Sequence, residues 1–152
     1  MPDAAAKGSR FGIALTLALR YEHGFGELTP YFDGLRNRVL QATRCASCGS
    51  VWAPPRLVCS CGSASVQWSA LSGFGRVVSV TRTPSSLPAT QTRGPMGFAL
   101  VRFDGATNAS LVRFEPADAL VAGQRVTLAP VDGEAGGHPV QSLIVVAVPP
   151  LA

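Results

Sequence analysis

Residues 45–62 read Cys45-Ala-Ser-Cys48-Gly49-Ser-Val-Trp-Ala-Pro54-Pro55-Arg56-Leu-Val-Cys59-Ser60-Cys61-Gly62, and they hold every cysteine of the chain. Two close cysteine pairs lie ten residues apart, each followed directly by glycine. Zinc favours four thiolates in a tetrahedron. A Cys-x-x-Cys-Gly turn suits that geometry, because it sets both sulfurs on one side and turns backbone amides toward their charge. Gly49 and Gly62 allow the positive φ that such a turn requires. Two facing turns make a ribbon, a segment too short to fold on its own apolar area, so the metal supplies its stability. The second pair is Cys-x-Cys, one residue short. Alternate residues of an extended chain project the same way, so both sulfurs still reach one ion. A strained half-site is expected there. The predicted ligands are therefore Cys45, Cys48, Cys59 and Cys61 around a structural zinc, since four thiolates leave no open position for catalysis. A disulfide or free buried cysteines are the competing readings.

The redox compartment bears on that choice. Lys7 and Arg10 precede an apolar stretch at residues 11–19, which imitates a signal peptide. Arg20-Tyr21-Glu22 stands where a small-residue cleavage site belongs, which argues against one. Nine residues also fall short of the ~20 that a membrane-crossing helix needs. The expected location is cytoplasmic, where thiols stay reduced and clustered cysteines read as metal ligands.

Working outward, residues 1–10 are small and polar and are expected to be partly disordered. Phe11-Gly-Ile-Ala-Leu-Thr-Leu-Ala-Leu19 alternates large and small side chains, a strand signal with one apolar face. That face has two open readings: addition to the protein's own sheet, or packing on a partner. Thr29-Pro30 reads as an N-cap followed by proline at the first helical position. Tyr31, Phe32, Leu35, Val39 and Leu40 form a helical stripe, so a helix is predicted over about 30–40. After the cysteines, five β-type runs follow, at 74–83, 98–103, 110–114, 125–131 and 142–148. Asp104-Gly105 signals a hairpin between the second and third. Residues 116–121 read as a short helix or turn before Gly123, and 84–95 and 132–139 as long loops. The pattern predicts a mainly β protein: an N-terminal strand and helix segment, a zinc ribbon and a five-stranded OB-type barrel. The expected division is an extension at 1–28, a helix at 29–43, the ribbon at 44–67 and the barrel at 68–152.

Tyr31-Phe-Asp-Gly-Leu-Arg36, Cys45-Ala-Ser-Cys-Gly49, Pro54-Pro55-Arg56, Cys61-Gly-Ser63, Trp68 and Ser72-Gly-Phe-Gly-Arg-Val-Val-Ser79 together resemble the family called domain of unknown function 35. The resemblance covers about residues 29–148 and departs at Cys59-Ser60-Cys61, where members usually have Cys-x-x-Cys. It implies a helix, a rubredoxin-like zinc ribbon and an OB-fold. It also implies a companion of thiolase-like enzymes, steroid-side-chain aldolases or acyl-CoA hydratases, whose partner carries the catalysis. The chain would then be a noncatalytic subunit of a hetero-oligomer with a thiolase-fold enzyme. That complex would make or break C–C bonds in an acyl-CoA, of benzoylsuccinyl-CoA type or from a steroid side chain. CoA thioester would be substrate of the complex and lie near the interface. Arg82 and Arg93 flank the long loop after the first barrel strand and are candidate cations for CoA phosphates, against the plainer reading of solvated loop arginines. Arg56 could meet a phosphate or brace the ribbon. Trp68 reads as a core residue where ribbon meets barrel, with an interface role as the alternative.

Composition tests the competing classes. The net charge is +4, but the cations are one lysine and twelve scattered arginines, without the clustered patch that phosphate backbones select. Aromatics are 7% of residues, few for a base-stacking surface. A nucleic-acid-binding ribbon and barrel is therefore the alternative function, and no nucleic acid or membrane partner is expected. Only 14% of residues are charged, which suits a surface partly covered by a partner. The two histidines, His23 and His138, sit in glycine-containing stretches, and neither has an obvious nucleophile or carboxylate at a supportive spacing. No carboxylate pair or phosphate-binding loop is evident. A stand-alone acyl-CoA carrier or thioesterase is a third reading.

Overall fold

The structure is a computed structural model, described for residues 12–14, 16, 18, 22, 24–83, 95–114, 120–129 and 143–149. A 3-10 turn, Gly26–Leu28, leads into helix α1, Thr29–Arg36. Pro30 sits in its first turn, where a missing N–H costs nothing. Thr29 is already helical rather than the cap, and its hydroxyl donates to the Gly26 carbonyl at 2.6 Å. Tyr31, Gly34 and Leu35 face inward.

The helix ends at Arg36, short of the residue 40 that the apolar stripe suggests. The cause is local. Arg38 takes a left-handed φ of 61°, the Arg38 N–H donates to Leu35 C=O at 3.2 Å, and the Val39 N–H donates to Gly34 C=O at 2.8 Å. This paired closure is a Schellman stop. A side chain at position 34 would collide with it: a Cβ there would lie 2.6 Å from the Val39 carbonyl oxygen. Leu40, the last residue of the supposed stripe, is instead the first of a strand and is buried.

Two sheets follow. The first has the order β2-β1-β3, built from β1 (Leu40–Cys45), β2 (Val51–Trp52) and β3 (Val66–Leu71), all antiparallel. It crosses both expected boundaries, since β1 starts before residue 44 and β3 continues past residue 67. The second is a closed barrel, β4-β5-β6-β8-β7, from β4 (Gly75–Thr83), β5 (Met96–Phe103), β6 (Ser110–Phe114), β7 (Arg125–Leu128) and β8 (Ile144–Ala147). Its pairs are antiparallel except β6–β8, which is parallel. This is the order of an OB-type barrel, closed so that no edge is left open. Strand β4 slips register between Val77 and Ser79, a bulge that bends it to meet both β5 and β7.

One apolar core runs through both sheets. Val77, Val101, Phe103, Val112, Phe114, Val126 and Val145 fill the barrel, and Leu35, Leu40, Ala42, Val51 and Ala53 extend the same cluster under the helix and ribbon. Gly97 permits the barrel's tightest contact, because a Cβ there would meet the Phe114 ring at 2.5 Å.

The stretch at 11–19 departs from expectation. Gly12, Ile13, Ala14, Thr16 and Ala18, the described residues within it, are exposed and belong to no strand. Addition to the protein's own sheet is therefore not seen among them. Residues 115–119 and 130–142 lie outside the described residues, and with them most of the short helix predicted at 116–121 and the loop at 132–139. The loop at 84–95 lies there too, apart from Pro95. No helix among the described residues is long and apolar enough to cross a membrane.

Candidate metal centre

Strand β1 delivers Cys45 to the ribbon tip, and the chain then turns sharply. The Gly49 N–H donates to the Cys45 carbonyl at 3.0 Å, and Gly49 has φ 73°. The second turn repeats this plan with one residue fewer. The Gly62 N–H donates to the Cys59 carbonyl at 2.9 Å, and Gly62 has φ 87°. Each turn thus closes from the glycine after its second cysteine, over four residues in one case and three in the other. Cross-links hold the turns face to face: Ala46 N–H to Ser65 C=O at 2.8 Å, and Ser47 Oγ to Ser63 Oγ at 2.9 Å.

All four sulfurs lie within 4.8 Å of one another. Cys45 Sγ and Cys61 Sγ are 3.7 Å apart, and Cys48 Sγ and Cys59 Sγ are 3.5 Å apart. A tetrahedron with Zn–S bonds of about 2.3 Å has edges of about 3.8 Å, so these separations suit one ion and are far too long for a disulfide. All four cysteines are free. At Cys59-Ser60-Cys61 the shorter turn still brings both sulfurs within 4.8 Å of the other two. Among the described residues, this is the group of metal-binding side chains close enough to hold an ion.

Electrostatics points the same way. The Cys61 amide and then the Trp52 indole hold the Cys59 thiol down at about 6. The amides of Cys48 and Ser47 lower Cys45, the Cys48 amide most. At Cys61 the Ser63 amide pulls downward, but the sulfurs of Cys48, Cys59 and Cys45 prevail and push it up to about 11. Crowded sulfurs cannot all ionise without a cation among them, and a coordinated thiol is deprotonated outright. The donor set therefore fits a thiophilic divalent ion, and its four thiolates make that ion structural.

The ribbon is fastened to the barrel behind the site. Between β5 and β6, Asn108 pairs with the Ala53 backbone: Ala53 N–H donates to Asn108 Oδ1 at 3.0 Å, and Asn108 Nδ2 donates to Ala53 C=O at 2.7 Å. Thr107 treats Val51 likewise, its N–H donating to Val51 C=O at 2.8 Å and its Oγ1 accepting from Val51 N–H at 2.9 Å. The Ser110 hydroxyl also donates to the Ala53 carbonyl. The Asp104-Gly105 turn is present as predicted, with Gly105 at φ 85°, and its role extends to carrying these clamps.

The other singled-out residues fall as follows. Trp68 is not core: it is 37% exposed on β3, in a groove of about 570 Å³ shared with Glu27, Leu57, Val58, Ala64 and Val66. Arg56 lies over the Trp52 ring, 4.1 Å from its centroid, so it braces the ribbon. Arg82 Nη2 donates to the Leu120 carbonyl at 2.8 Å. Arg93, His23 and His138 lie outside the described residues. Trp52, Thr43 and Asn108 carry contacts that sequence reasoning did not single out. A hint existed for Trp52 in its place between the cysteine pairs, four residues before Arg56.

A family profile described as ChsH2, rubredoxin-like zinc ribbon domain, matches residues 32–67. Two solved structures share the architecture beyond the ribbon. One, described as an Ltp2-ChsH2(DUF35) aldolase, superposes with TM-score 0.61 at 21% identity, covering 82% of this chain and 97% of that one. The other is a protein of unknown function from the DUF35 family of Sulfolobus solfataricus, with TM-score 0.60 at 18% identity, covering 81% of this chain and 87% of that one. The chain has the DUF35 fold. At these identities the structural likeness concerns the fold, and the ribbon match locates its metal-binding part within the DUF35 arrangement. The four cysteines form a zinc-ribbon site. A comparison with curated proteins finds no match.

Proposed function

We propose that this chain binds one structural zinc through Cys45, Cys48, Cys59 and Cys61 and acts as the noncatalytic subunit of an acyl-CoA-processing complex. Its partner is an aldolase-type enzyme of thiolase fold, which forms or cleaves a C–C bond. The observation that carries the reading is the extent of the fold match, which runs through ribbon and barrel and covers 97% of a chain described within an Ltp2-ChsH2(DUF35) aldolase.

The surface supports it. Val58 is 57% exposed and Trp68 stands beside it, which suits a face completed by another protein. A base-stacking barrel, the alternative, would present aromatics on its strands. Among the described residues of β4–β8, Phe98 is half-buried and Phe103 and Phe114 are buried.

The test is affinity purification of the full chain from its native cells, followed by assay of the captured partner with and without it. A thiolase-fold or aldolase-type enzyme should co-purify, lose activity when stripped of this chain and regain it on re-addition. Trp68→Glu should weaken capture. A partner fully active alone, or acyl-CoA turnover by the isolated chain, overturns the proposal.

A further inference from the structure

We propose that Trp52 and Arg56 form a positioning pair for the metal centre, supplying a hydrogen-bond donor and a positive charge beside the shortened cysteine turn. The inference rests on zinc binding by the four cysteines and adds residues to that site.

The two turns differ in length, closing over four residues at Cys45–Gly49 and over three at Cys59–Gly62. The shorter turn has a side-chain donor from outside it: Trp52 Nε1 donates to Cys59 Sγ at 3.4 Å. Indole N–H groups withdrawn from water need an acceptor, and a thiolate is a charged one.

The indole is aimed from two directions. Its backbone pairs with Thr43 in the β1–β2 ladder. Thr43 is fully buried, and its hydroxyl fixes the Arg56 backbone, accepting from the Arg56 N–H and donating to the Arg56 C=O, each at 2.9 Å. Arg56 then lays its guanidinium on the Trp52 ring, 4.1 Å from the centroid. One residue of β1 thus sets the strand that carries the donor and the cation that covers it. The charge matters because four thiolates around a divalent ion carry a net charge of −2. A cation stacked on the ring that donates to one of them offsets part of it, and makes that ring a better donor.

The experiment compares Trp52→Phe, which keeps a ring for Arg56 but loses the N–H, with Arg56→Met, which keeps the stem and loses the charge. Arg56 is exposed, so its variant should fold. Zinc transfer from the full chain to a chromogenic chelator, and the sulfur-to-metal charge-transfer band of the cobalt(II) form, are the readouts. Outer-shell substitutions cost about 10–100-fold in metal affinity, so Trp52→Phe should weaken zinc binding about tenfold and Arg56→Met less. Both should move the cobalt band to lower energy, because a thiolate relieved of a donor is more electron-rich. In a Trp68→Phe background, Trp52 emission should change when metal is removed. Wild-type affinity in both variants, or weakened affinity with the band unmoved, overturns the pairing role while leaving the zinc site standing. Wild-type protein that retains no zinc overturns both.

Discussion

The ribbon and the barrel answer the same physical problem differently. The barrel closes five strands over a continuous apolar interior, with Phe103 and Phe114 wholly buried. The ribbon tip, residues 46–65, buries only Val51, Ala53 and Cys59. Its β2 has two residues. Hydrophobic burial at about 25 cal/mol per Å² can hold the first together but not the second, which depends on metal coordination and on hydrogen bonds to the barrel. The contrast predicts that the two regions fail separately.

The largest effect should come from the metal. Zinc binding in small finger peptides supplies about 10–16 kcal/mol at neutral pH, so Cys45→Ser or strong chelation should unfold the ribbon tip outright. Hydrogen exchange should show protection lost over 45–66 and kept in β4, β5 and β6. Loss of barrel protection at the same chelator concentration would mean that the two regions form one cooperative unit.

The mirror experiment is Phe114→Ala. Phe114 is wholly buried in the barrel, and large-to-small substitution there should cost about 3–5 kcal/mol, read from the denaturant midpoint. Zinc per chain should stay at the wild-type level at temperatures where the variant is folded.

A third substitution attacks the joint. Asn108→Ala leaves the Ala53 N–H without its partner and removes one donor from the Ala53 carbonyl. A buried polar group left unpaired costs about 1–3 kcal/mol. The variant should melt with a broadened or two-step transition, and a single sharp one at wild-type Tm would show that the clamp is dispensable.

The smallest expected effect lies on the barrel surface. Arg125 donates twice to Asp104, at 2.8 Å each, and holds its carboxyl below the usual range. A depressed folded pKa adds stability that is fully present above the unfolded aspartate value and is lost as pH falls through the folded one. The pair is exposed and screened by solvent, so the contribution is small. Asp104→Asn should lower Tm slightly at neutral pH, and the difference from wild type should vanish as pH falls through the folded aspartate value. A larger loss at acid pH than at neutral pH would reverse the assigned sign.

Much of this was legible from local chemistry. Strand β6 falls on the predicted residues 110–114, and the Asp104-Gly105 turn joins the predicted strands, because period-two alternation and positive-φ glycine act over a few residues. The same is true of the cysteine grouping. The helix stops short of its apolar stripe because a stripe cannot announce an arginine in a left-handed turn. Trp68 is exposed rather than core because a large aromatic in a strand looks alike on either face, and only the position of the sheet decides which face is covered.

From the sequence alone came the four cysteines, the glycines that close their turns, and the order of ribbon and barrel. Those depend on spacing and backbone conformation, which neighbouring residues set among themselves. Only the tertiary structure decided which side chains meet the short Cys59-Ser60-Cys61 turn and the ribbon behind it. Trp52 reaches across seven residues to Cys59, and Asn108 holds Ala53 across fifty-five. Such bonds are selected by where whole sheets come to rest, and no local periodicity records them.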